Sequence, residues 1–180
     1  KSWGFNSNGQ LGDNSTTQRL TPVTVSNINN AIAISAGNQF SLALLSDGTI
    51  KSWGINTYGQ LGNNSTTLSS VPVTVSNITN AISISAGENF SIALLSDGTV
   101  KGWGENNLGQ LGDSTTINKN SPITIPGISN CIGIKSSNSS VHTLALLSDG
   151  TLKAWGANWS SQVGNGQTNT SQTTAITVPT

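Results

Sequence analysis

The side chains that most often serve as nucleophiles, general bases or metal ligands are scarce in this sequence. It contains one histidine, His142, and one cysteine, Cys131. A lone cysteine forms neither an intrachain disulfide nor a cysteine-based metal site. Activation of a nucleophile requires a base within hydrogen-bond reach, and neither a second histidine nor a nearby carboxylate is placed to pair with His142. The sequence therefore predicts no pair of nucleophile and base.

The acidic residues are equally unsuited to catalysis. The seven of them are scattered, and Asp47, Asp97 and Asp149 each precede a glycine, which is a turn pattern rather than an arrangement for acid–base work. The glycine-rich segments lack the Lys-Ser/Thr that engages phosphates in a P-loop, and no metal-ligand spacing appears. We therefore expect no enzyme activity, no metal and no cofactor.

The charge of the chain also limits its partners. Charged residues make up 8% of it, with a formal net charge of zero, against about 25% charged residues in an average globular chain. A nucleic-acid binder carries a basic patch or stripe, so we expect no nucleic-acid partner. No apolar run approaches the roughly 20 residues that span a bilayer, so we expect no membrane insertion. The polar composition favours a secreted or cell-surface location in a microbe, with a cytoplasmic one left open.

The elements that position these residues repeat along the chain. Residues 1–50 and 51–100 are identical at 36 of 50 positions. A third copy begins at Lys101 and a shorter fourth copy at Lys153. A period of roughly 20 to 50 residues indicates a solenoid, a propeller or another array. We treat residues 1–180 as one partial array with units 1–50, 51–100, 101–152 and 153–180.

The repeat assigns structural roles to the two rare residues. His142 takes the position of Phe40 and Phe90, so we expect it to be packed rather than catalytic. Cys131 takes the position of Ala31. A free cysteine behaves as a small hydrophobic residue, so we expect it to be buried.

Each period contains four short runs typical of β-strands. In the first they span 22–25, 31–36, 40–45 and 49–53. Alternation of residue type at period two is the strand signal, and it predicts that Ile32 and Ile34 share one face. Asp47-Gly48 between the last two runs predicts a tight hairpin turn. Four short strands per period of about 50 residues fit a propeller of four-stranded blades.

A glycine-rich string, Gly-x-Asn-x-x-Gly-Gln-Leu-Gly, follows the last strand. It spans 4–12, 54–62 and 104–112. Long structureless loops are uncommon in compact domains, so we expect this loop to be packed. We predict that Leu11, Leu61 and Leu111 plug the gap between neighbouring sheets.

These motifs together resemble a known repeat. Ala-Gly-x-x-Phe-Ser-Leu-Ala-Leu-Leu-Ser-Asp-Gly-Thr, followed by Trp-Gly-x-Asn-x-x-Gly-Gln-Leu-Gly, resembles the repeat of the regulator of chromosome condensation family. The resemblance extends to about Val178. It implies a β-propeller, usually of seven blades, and this chain holds about three and a half repeats.

A propeller needs roughly 4 to 8 blades to close. One interpretation is that this chain belongs to a longer polypeptide, which we favour. The other is that copies of the chain complete a ring or stack by self-association. Two copies would supply eight Trp-Gly halves and six Asp-Gly halves, which is an imperfect match to strict alternation.

Positions that differ between near-identical copies are candidates for contact with a partner. Inside the glycine string, Ser7-Asn8 becomes Thr57-Tyr58, Asn107-Leu108 and Trp159-Ser160. Loops on a rigid scaffold concentrate binding residues, and contact hot spots favour aromatic residues. We predict partner contacts at Phe5, Tyr58, Leu108, Trp159, Lys135 and Asn138. The alternative is drift in tolerant loops, or aromatic residues buried against the next blade.

Three functions are compatible with these observations. The first is a non-enzymatic scaffold that binds an unknown protein partner through its loops. The second is a guanine-nucleotide exchange factor for a small GTPase, since the resemblance implies a family with such members. The third is a repetitive extracellular structural or surface-assembly protein. Fold analogy alone does not choose among them.

Overall fold

A computed structural model of the chain describes residues 1–136, 139, 141–168 and 171–179. The regular structure in this part of the chain is β-strand, so the all-β prediction is confirmed. The strands are β1 (Ser2–Gly4), β2 (Arg19–Val23), β3 (Ala31–Ala36), β4 (Phe40–Leu45), β5 (Ile50–Gly54), β6 (Ser69–Thr74), β7 (Ala81–Ala86), β8 (Phe90–Leu95), β9 (Val100–Gly104), β10 (Lys119–Thr124), β11 (Cys131–Lys135), β12 (His142–Leu147), β13 (Leu152–Ala157) and β14 (Ser171–Thr177).

These strands form three four-stranded antiparallel sheets, β3–β6, β7–β10 and β11–β14, and one two-stranded sheet, β1–β2. Each four-stranded sheet is a blade, and β1–β2 corresponds by sequence to the third and fourth strands of a blade. The predicted strands 31–36 and 40–45 agree with β3 and β4. The predicted run 22–25 is shifted, because the outer strand β2 begins earlier and ends at Val23.

The hairpin turns follow the Asp-Gly prediction. Gly48 has a φ of 79°, which a residue without a Cβ adopts readily. Its N–H donates to the carbonyl of Leu45 at 3.0 Å, and the Leu45 N–H donates to the carbonyl of Thr49 at 2.9 Å. Asp47 Oδ1 accepts the N–H of Thr49 at 3.0 Å. The turn is therefore closed by backbone and side chain together.

The prediction that Ile32 and Ile34 share a face is wrong, because the first strand of each blade carries a β-bulge. Ala31 lies opposite Leu45 and Ala33 lies opposite Leu44, which leaves Ile32 without a partner across the ladder. A bulge of this kind shifts the alternation of the residues on either side of it. Ile34, which lies opposite Ala43, consequently shares a face with Ala31 rather than with Ile32.

The sheets contact each other mainly through β3, β7 and β11, so these first strands lie nearest the axis of the array. We call the first two strands of each blade its inner hairpin. One apolar cluster joins the first and second complete blades and a second cluster joins the second and third. Each sequence period is divided between blades, since residues 51–100 contribute β5 and β6 to one sheet and β7 and β8 to the next.

Two glycines at equivalent positions show how closely the inner hairpin of a blade approaches the end of its third strand. Gly4 and Gly104 both have a φ of 103°. A Cβ on Gly104 would lie 2.6 Å from the carbonyl oxygen of Asn89, whereas a Cβ on Gly4 would have no atom within 4 Å. Gly4→Ala therefore pays for backbone strain only, of order 1–3 kcal/mol. We expect Gly104→Ala to destabilise by about 1–3 kcal/mol more, the usual cost of overpacking.

Urea denaturation gives the free energy of unfolding of both variants and of the wild type. Equal losses for Gly4→Ala and Gly104→Ala would contradict the close approach of the 87–89 segment to the third strand.

Candidate protein-binding face

A buried asparagine organises the long loop between the third and fourth strands of each blade. Asn56 Nδ2 donates to the carbonyls of Ser65 at 2.9 Å and Thr67 at 3.0 Å, and its Oδ1 accepts the N–H of Leu61 at 2.9 Å. Asn6, Asn106 and Asn158 are buried in the same position. These residues therefore hold four similar loops, which we call docking loops: residues 5–18, 55–68, 105–118 and 158–168.

Three docking loops bind the next blade through one backbone carbonyl. The carbonyl of Gln60 accepts the indole N–H of Trp103 at 2.9 Å and the hydroxyl of Ser91 at 2.9 Å. The Gln10 carbonyl accepts from Trp53 and Ser41, and the Gln110 carbonyl accepts from Trp155 and Thr143. Each of these three docking loops therefore fixes the position of the blade that follows it.

Glycines let the docking loop approach the next blade closely. A Cβ on Gly59 would lie 2.4 Å from Cα of Asn120 in the outer strand β10, and a Cβ on Gly62 would lie 2.7 Å from Nε1 of Trp103. The N–H of Asn64 donates to the carbonyl of Asn120 at 2.9 Å. Leu61 is fully buried in the cluster between the two blades, so its predicted role as a plug is confirmed.

The docking loops and the segments that join the inner strands lie at the same end of the blades. Phe40 at the start of β4 pairs with Gly54 at the end of β5. The N–H of Asn38 donates to the carbonyl of Glu88 in the next blade at 2.8 Å. We call the segments 37–39 and 87–89 corners. Corners and docking loops together form one continuous surface, which we call the loop face.

Five of the six predicted contact residues border the loop face, and the sixth, Asn138, lies outside the described residues. Phe5 and Trp159 are 59% and 52% exposed. Lys135, at the end of β11, is exposed, while Tyr58 and Leu108 are half-buried. The structure therefore brings these side chains to one end of the array, although they belong to successive blades.

The exposure of Trp159 is a property of its position in the repeat. Ser7, Thr57 and Asn107 hold the same position and are all exposed, including in loops that are covered by a following blade. A large aromatic residue has replaced small polar ones at a site that the fold leaves open to solvent. Trp159 is therefore not buried by the packing of blades.

The exposure of Phe5 has a different cause. Its equivalents are Ile55, which is half-buried, and Glu105 and Ala157, which are buried. The N–H of Ile55 donates to the carbonyl of Gln39 in the corner of its own blade at 2.9 Å. The blade of Phe5 has no such corner among the described residues, which explains why the phenyl ring is uncovered.

Sequence reasoning missed two features of the loops. Glu105 is a buried carboxylate that accepts from Asn107 Nδ2 at 2.9 Å and from Asn89 Nδ2 at 3.2 Å. Ion pairs join Arg19 to Asp13 at 2.7 Å and Lys119 to Asp113 at 3.2 Å. The sequence did contain a signal for these ion pairs. The acidic and the basic residue of each pair are both replaced by neutral residues, Asn63 and Ser69, in the second copy.

The single histidine, His142, and the single cysteine, Cys131, have the surroundings of packed structural residues. Burial lowers the pKa of His142, as expected when an imidazole replaces a phenyl ring. Burial also raises the pKa of the Cys131 thiol, which donates to the carbonyl of Gly133 at 3.3 Å. Among the described residues there is no group of three or more His, Cys, Asp or Glu that could hold a metal. No helix long and apolar enough to cross a bilayer occurs there either.

One buried donor in the second docking loop lacks a partner within the described part of the chain. Gln60 Nε2 is buried and has no acceptor. In the third loop the equivalent Gln110 Nε2 donates to Asn107 Oδ1 at 3.3 Å. We expect Thr57→Asn to supply this acceptor and raise the free energy of unfolding by about 0.5–1.5 kcal/mol, the net value of a typical hydrogen bond.

The matched control is Ser7→Asn in the first loop, where the partner Gln10 is half-exposed. Water already satisfies an exposed amide, so we expect no gain there. Urea denaturation measures both variants, and an equal gain would show that burial of the donor is irrelevant.

The Asp113 ion pair predicts a dependence of stability on acid. Partial burial opposes ionisation of this carboxyl, but hydrogen bonds from Thr115, Asn106 and Lys119 outweigh it and lower the pKa of Asp113. A lowered folded-state pKa gives stability that is present above the unfolded value of about 3.9 and is lost as pH falls below it. The double substitution Asp113→Asn with Lys119→Ser introduces the residues of the second copy and removes this pH-dependent contribution to stability.

We therefore expect the melting temperature of that double variant to fall less than that of the wild type between pH 7 and pH 3. The converse variant, Asn63→Asp with Ser69→Lys, should fall more than the wild type. Parallel curves for all three proteins would refute a contribution from this pair.

Comparison with known proteins agrees with this geometry. The Regulator of chromosome condensation (RCC1) repeat matches residues 2–44, 47–94 and 97–146, and a second version of the repeat matches residues 31–60 and 81–110. No curated protein sequence is similar enough to this chain to count as a match.

Solved structures share the fold. Yeast RCC1 (Prp20) bound to Kap60 is similar at 22% identity over 99% of this chain and 44% of that one, with a TM-score of 0.84. Human WBSCR16 is similar at 20% identity over 96% of this chain and 45% of that one, with a TM-score of 0.81. The chain thus spans less than half the length of these propellers. By its repeats and its blades, it belongs to the family of proteins with regulator of chromosome condensation (RCC1) repeats.

Proposed function

We propose that this chain is part of a non-enzymatic β-propeller scaffold that binds a protein partner through the loop face. The observation that carries the proposal is the distribution of sequence differences. The copies keep the buried asparagine that holds each loop, such as Asn56, and vary at the residue that follows it, which is exposed in all four copies. A rigid frame with variable exposed loops is the usual arrangement of a binding surface.

Trp159 is the anchor that best fits such a surface. It is more than half exposed at a position where the other copies have small polar side chains. Tryptophan is enriched among the few residues that dominate binding energy. Tyr58 and Leu108 lie half-buried one position further along their own loops. We assign them a supporting role, together with the exposed Lys135 at the end of β11. The sixth candidate, Asn138, lies outside the described residues and stays a prediction.

Structural relatives support a protein as the partner. The yeast protein Prp20 has been solved in complex with Kap60, and Prp20p has been characterised for its binding to Gsp1p and histones. That structure is similar at 20% identity over 99% of this chain and 45% of that one, with a TM-score of 0.80. This likeness establishes the fold alone, so the identity of the partner of this chain is left to experiment.

We propose that the ring is completed outside residues 1–180. The three complete blades are fewer than the roughly 4 to 8 that close a propeller, and the similar structures are about twice as long. The remainder comes either from further repeats of the same polypeptide or from self-association. The low charge and the abundance of Ser, Thr and Asn support the proposal of a secreted or surface location.

The test places a photo-crosslinking amino acid at position 159 and, as a control, at position 124. Thr124 is exposed and, at the end of β10 that pairs with Lys101, it lies at the opposite end of the blade. We expect a protein to be captured at 159 and not at 124. With that protein purified, Trp159→Ala should weaken binding at least tenfold, since a hot spot contributes about 2 kcal/mol or more.

Thr57→Ala is the matched variant, because Thr57 occupies the same exposed position in the second loop, and it should leave binding unchanged. The melting temperature of Trp159→Ala should equal that of the wild type. Unchanged affinity of Trp159→Ala would remove this residue from the binding surface. Accelerated release of labelled nucleotide from a small GTPase, abolished by Trp159→Ala, would favour an exchange factor instead.

A further inference from the structure

Two acidic residues take no part in a hairpin turn or an ion pair. All seven acidic residues lie in the described part of the chain. Five of them close the turns or form the ion pairs: Asp47, Asp97, Asp149, Asp13 and Asp113. The other two, Glu88 and Glu105, both belong to the second complete blade, one in its corner and one at the start of its docking loop. The equivalent residues of the preceding blade, Asn38 and Ile55, are neutral.

The fold brings the segments of these two glutamates together. The N–H of Glu105 donates to the carbonyl of Asn89 at 3.0 Å, and Asn89 Nδ2 donates to Glu105 Oε2 at 3.2 Å. Glu105 is buried, and its other oxygen accepts from Asn107. Glu88, next to Asn89, is half-buried. One place on the loop face therefore has two carboxyl groups.

No basic residue pairs with either glutamate, and all seven basic residues lie in the described part of the chain. Two of them form the ion pairs with Asp13 and Asp113. Four donate to threonine hydroxyls at the end of the blades opposite the loop face: Lys1, Lys51, Lys101 and Lys153. The last, Lys135, is exposed. A buried carboxylate is costly unless it is paired, and a cation from a partner would offset this cost.

An aromatic ring belongs to the same place. Between the half-blade and the first complete blade, Asn8 Nδ2 of the docking loop donates to Gln39 Oε1 of the next corner. Tyr58 and Asn89 hold these two positions one blade further on, and Tyr58 is half-buried. The face of a tyrosine ring attracts a guanidinium or ammonium group. We call Tyr58, Glu88, Asn89 and Glu105 the acidic junction.

The next junction along the array is apolar at the same positions. Leu108, Val141 and Ala157 replace Tyr58, Asn89 and Glu105, and Trp159 follows Ala157 by two positions. The N–H of Ala157 donates to the carbonyl of Val141 at 2.9 Å, so the backbone contact is unchanged. Ala157 is buried, Leu108 and Val141 are half-buried, and Trp159 is more than half exposed. We call these four residues the apolar junction.

Neither junction lies at an end of the array. The acidic junction is formed between the first and second complete blades, and the apolar junction between the second and third. The first junction has two amides and an aliphatic residue at the corresponding positions: Asn8, Gln39 and Ile55. The same backbone contact therefore accepts amide, acidic and apolar side chains. Because packing does not require these differences, we attribute them to recognition.

We propose that the partner of the loop face is a protein segment that places an arginine or lysine at the acidic junction and an apolar side chain at the apolar junction. Sheets pack about 10 Å apart, a distance that roughly three residues of extended chain cover, so one short segment reaches both. The negative phosphates of a nucleic acid do not fit the acidic junction. The inference rests on the proposed binding at the loop face and specifies the chemistry of the partner.

The experiment selects peptides from a random library displayed on phage, with the wild-type protein as the target. We expect the selected peptides to share an arginine or lysine and, a few positions away, an apolar residue. Peptides selected on Glu105→Gln should keep the apolar residue and lose the basic one. Peptides selected on Trp159→Ala should keep the basic residue and lose the preference for the apolar one.

A synthetic peptide of the selected sequence gives the magnitudes. Glu105→Gln should weaken its binding about tenfold or more, since close charge pairs across an interface couple at least that strongly. A peptide whose basic residue is replaced by glutamine should bind the wild type and Glu105→Gln equally, which completes a double-mutant cycle. The matched control is Asp113→Asn with Lys119→Ser, which removes a carboxylate that is already paired in the same docking loop and should leave the affinity unchanged.

A second variant covers a loss of fold, which the melting temperature reports. Glu88→Asn introduces the residue of the first copy at a half-buried position, and it should also weaken binding of the basic peptide. Raising the salt concentration should weaken binding to the wild type more than binding to Glu105→Gln, because salt screens the attraction between charges.

Selected peptides without a basic residue would overturn the inference. So would a basic residue whose replacement weakens binding equally in the wild type and in Glu105→Gln. In both cases a loss of affinity in Trp159→Ala would still support binding at the loop face, so the two failures are distinguishable. Failure to select any peptide would overturn the recognition of a short segment, and crosslinking at position 159 would then test the proposed function by itself.

Discussion

The structure depends on one contact repeated between blades: the backbone carbonyl of a docking-loop glutamine accepts the indole N–H of the next blade's tryptophan. The bond joins Gln60 to Trp103, and it recurs between the half-blade and the first complete blade and between the second and third complete blades. It requires the loop to lie against the neighbouring sheet, which the close-approach glycines permit. The tryptophan is thus both a large buried hydrophobic group and a polar connection, as buried indoles commonly are.

This contact limits the positions that are free to take part in the proposed binding. Each docking loop is held internally by a buried asparagine, and the first three are also held by the next blade, so most of their residues are committed to structure. What varies without disturbing these bonds is the residue after the asparagine, which is exposed in every copy and is Trp159 in the fourth. Amide and hydroxyl groups supply most hydrogen bonds within the loops, and the ion pairs in the described part of the chain are those of Asp13 with Arg19 and of Asp113 with Lys119. In the proposed function, recognition would therefore depend on a small set of apolar side chains on a polar face.

Much of the fold could be predicted from the sequence because the signals are local and occur several times. The Asp-Gly turn, the inner strands and the burial of Leu61 all follow from short patterns. The β-bulge at Ile32 could not be predicted from the sequence. Ile32 is an extra residue between the partners of Leu45 and Leu44, but the residues around it alternate without interruption and give no local sign of it. The candidate contact residues were found from variation between copies, but variation alone did not separate Trp159, exposed by its position, from Phe5, exposed by a missing corner.

The sequence by itself determined the repeat, the strands and the turns, since each depends on residues close together in the chain. Only the tertiary structure decided how the periods are shared between blades and which surfaces stay open. Those properties depend on contacts between residues about 31 to 45 positions apart, such as Gln60 with Ser91 and Trp103 and Gln110 with Trp155. The same residues recur in the sequence whether a blade is covered by a neighbouring blade or not, and only the packing of the blades distinguishes these two cases.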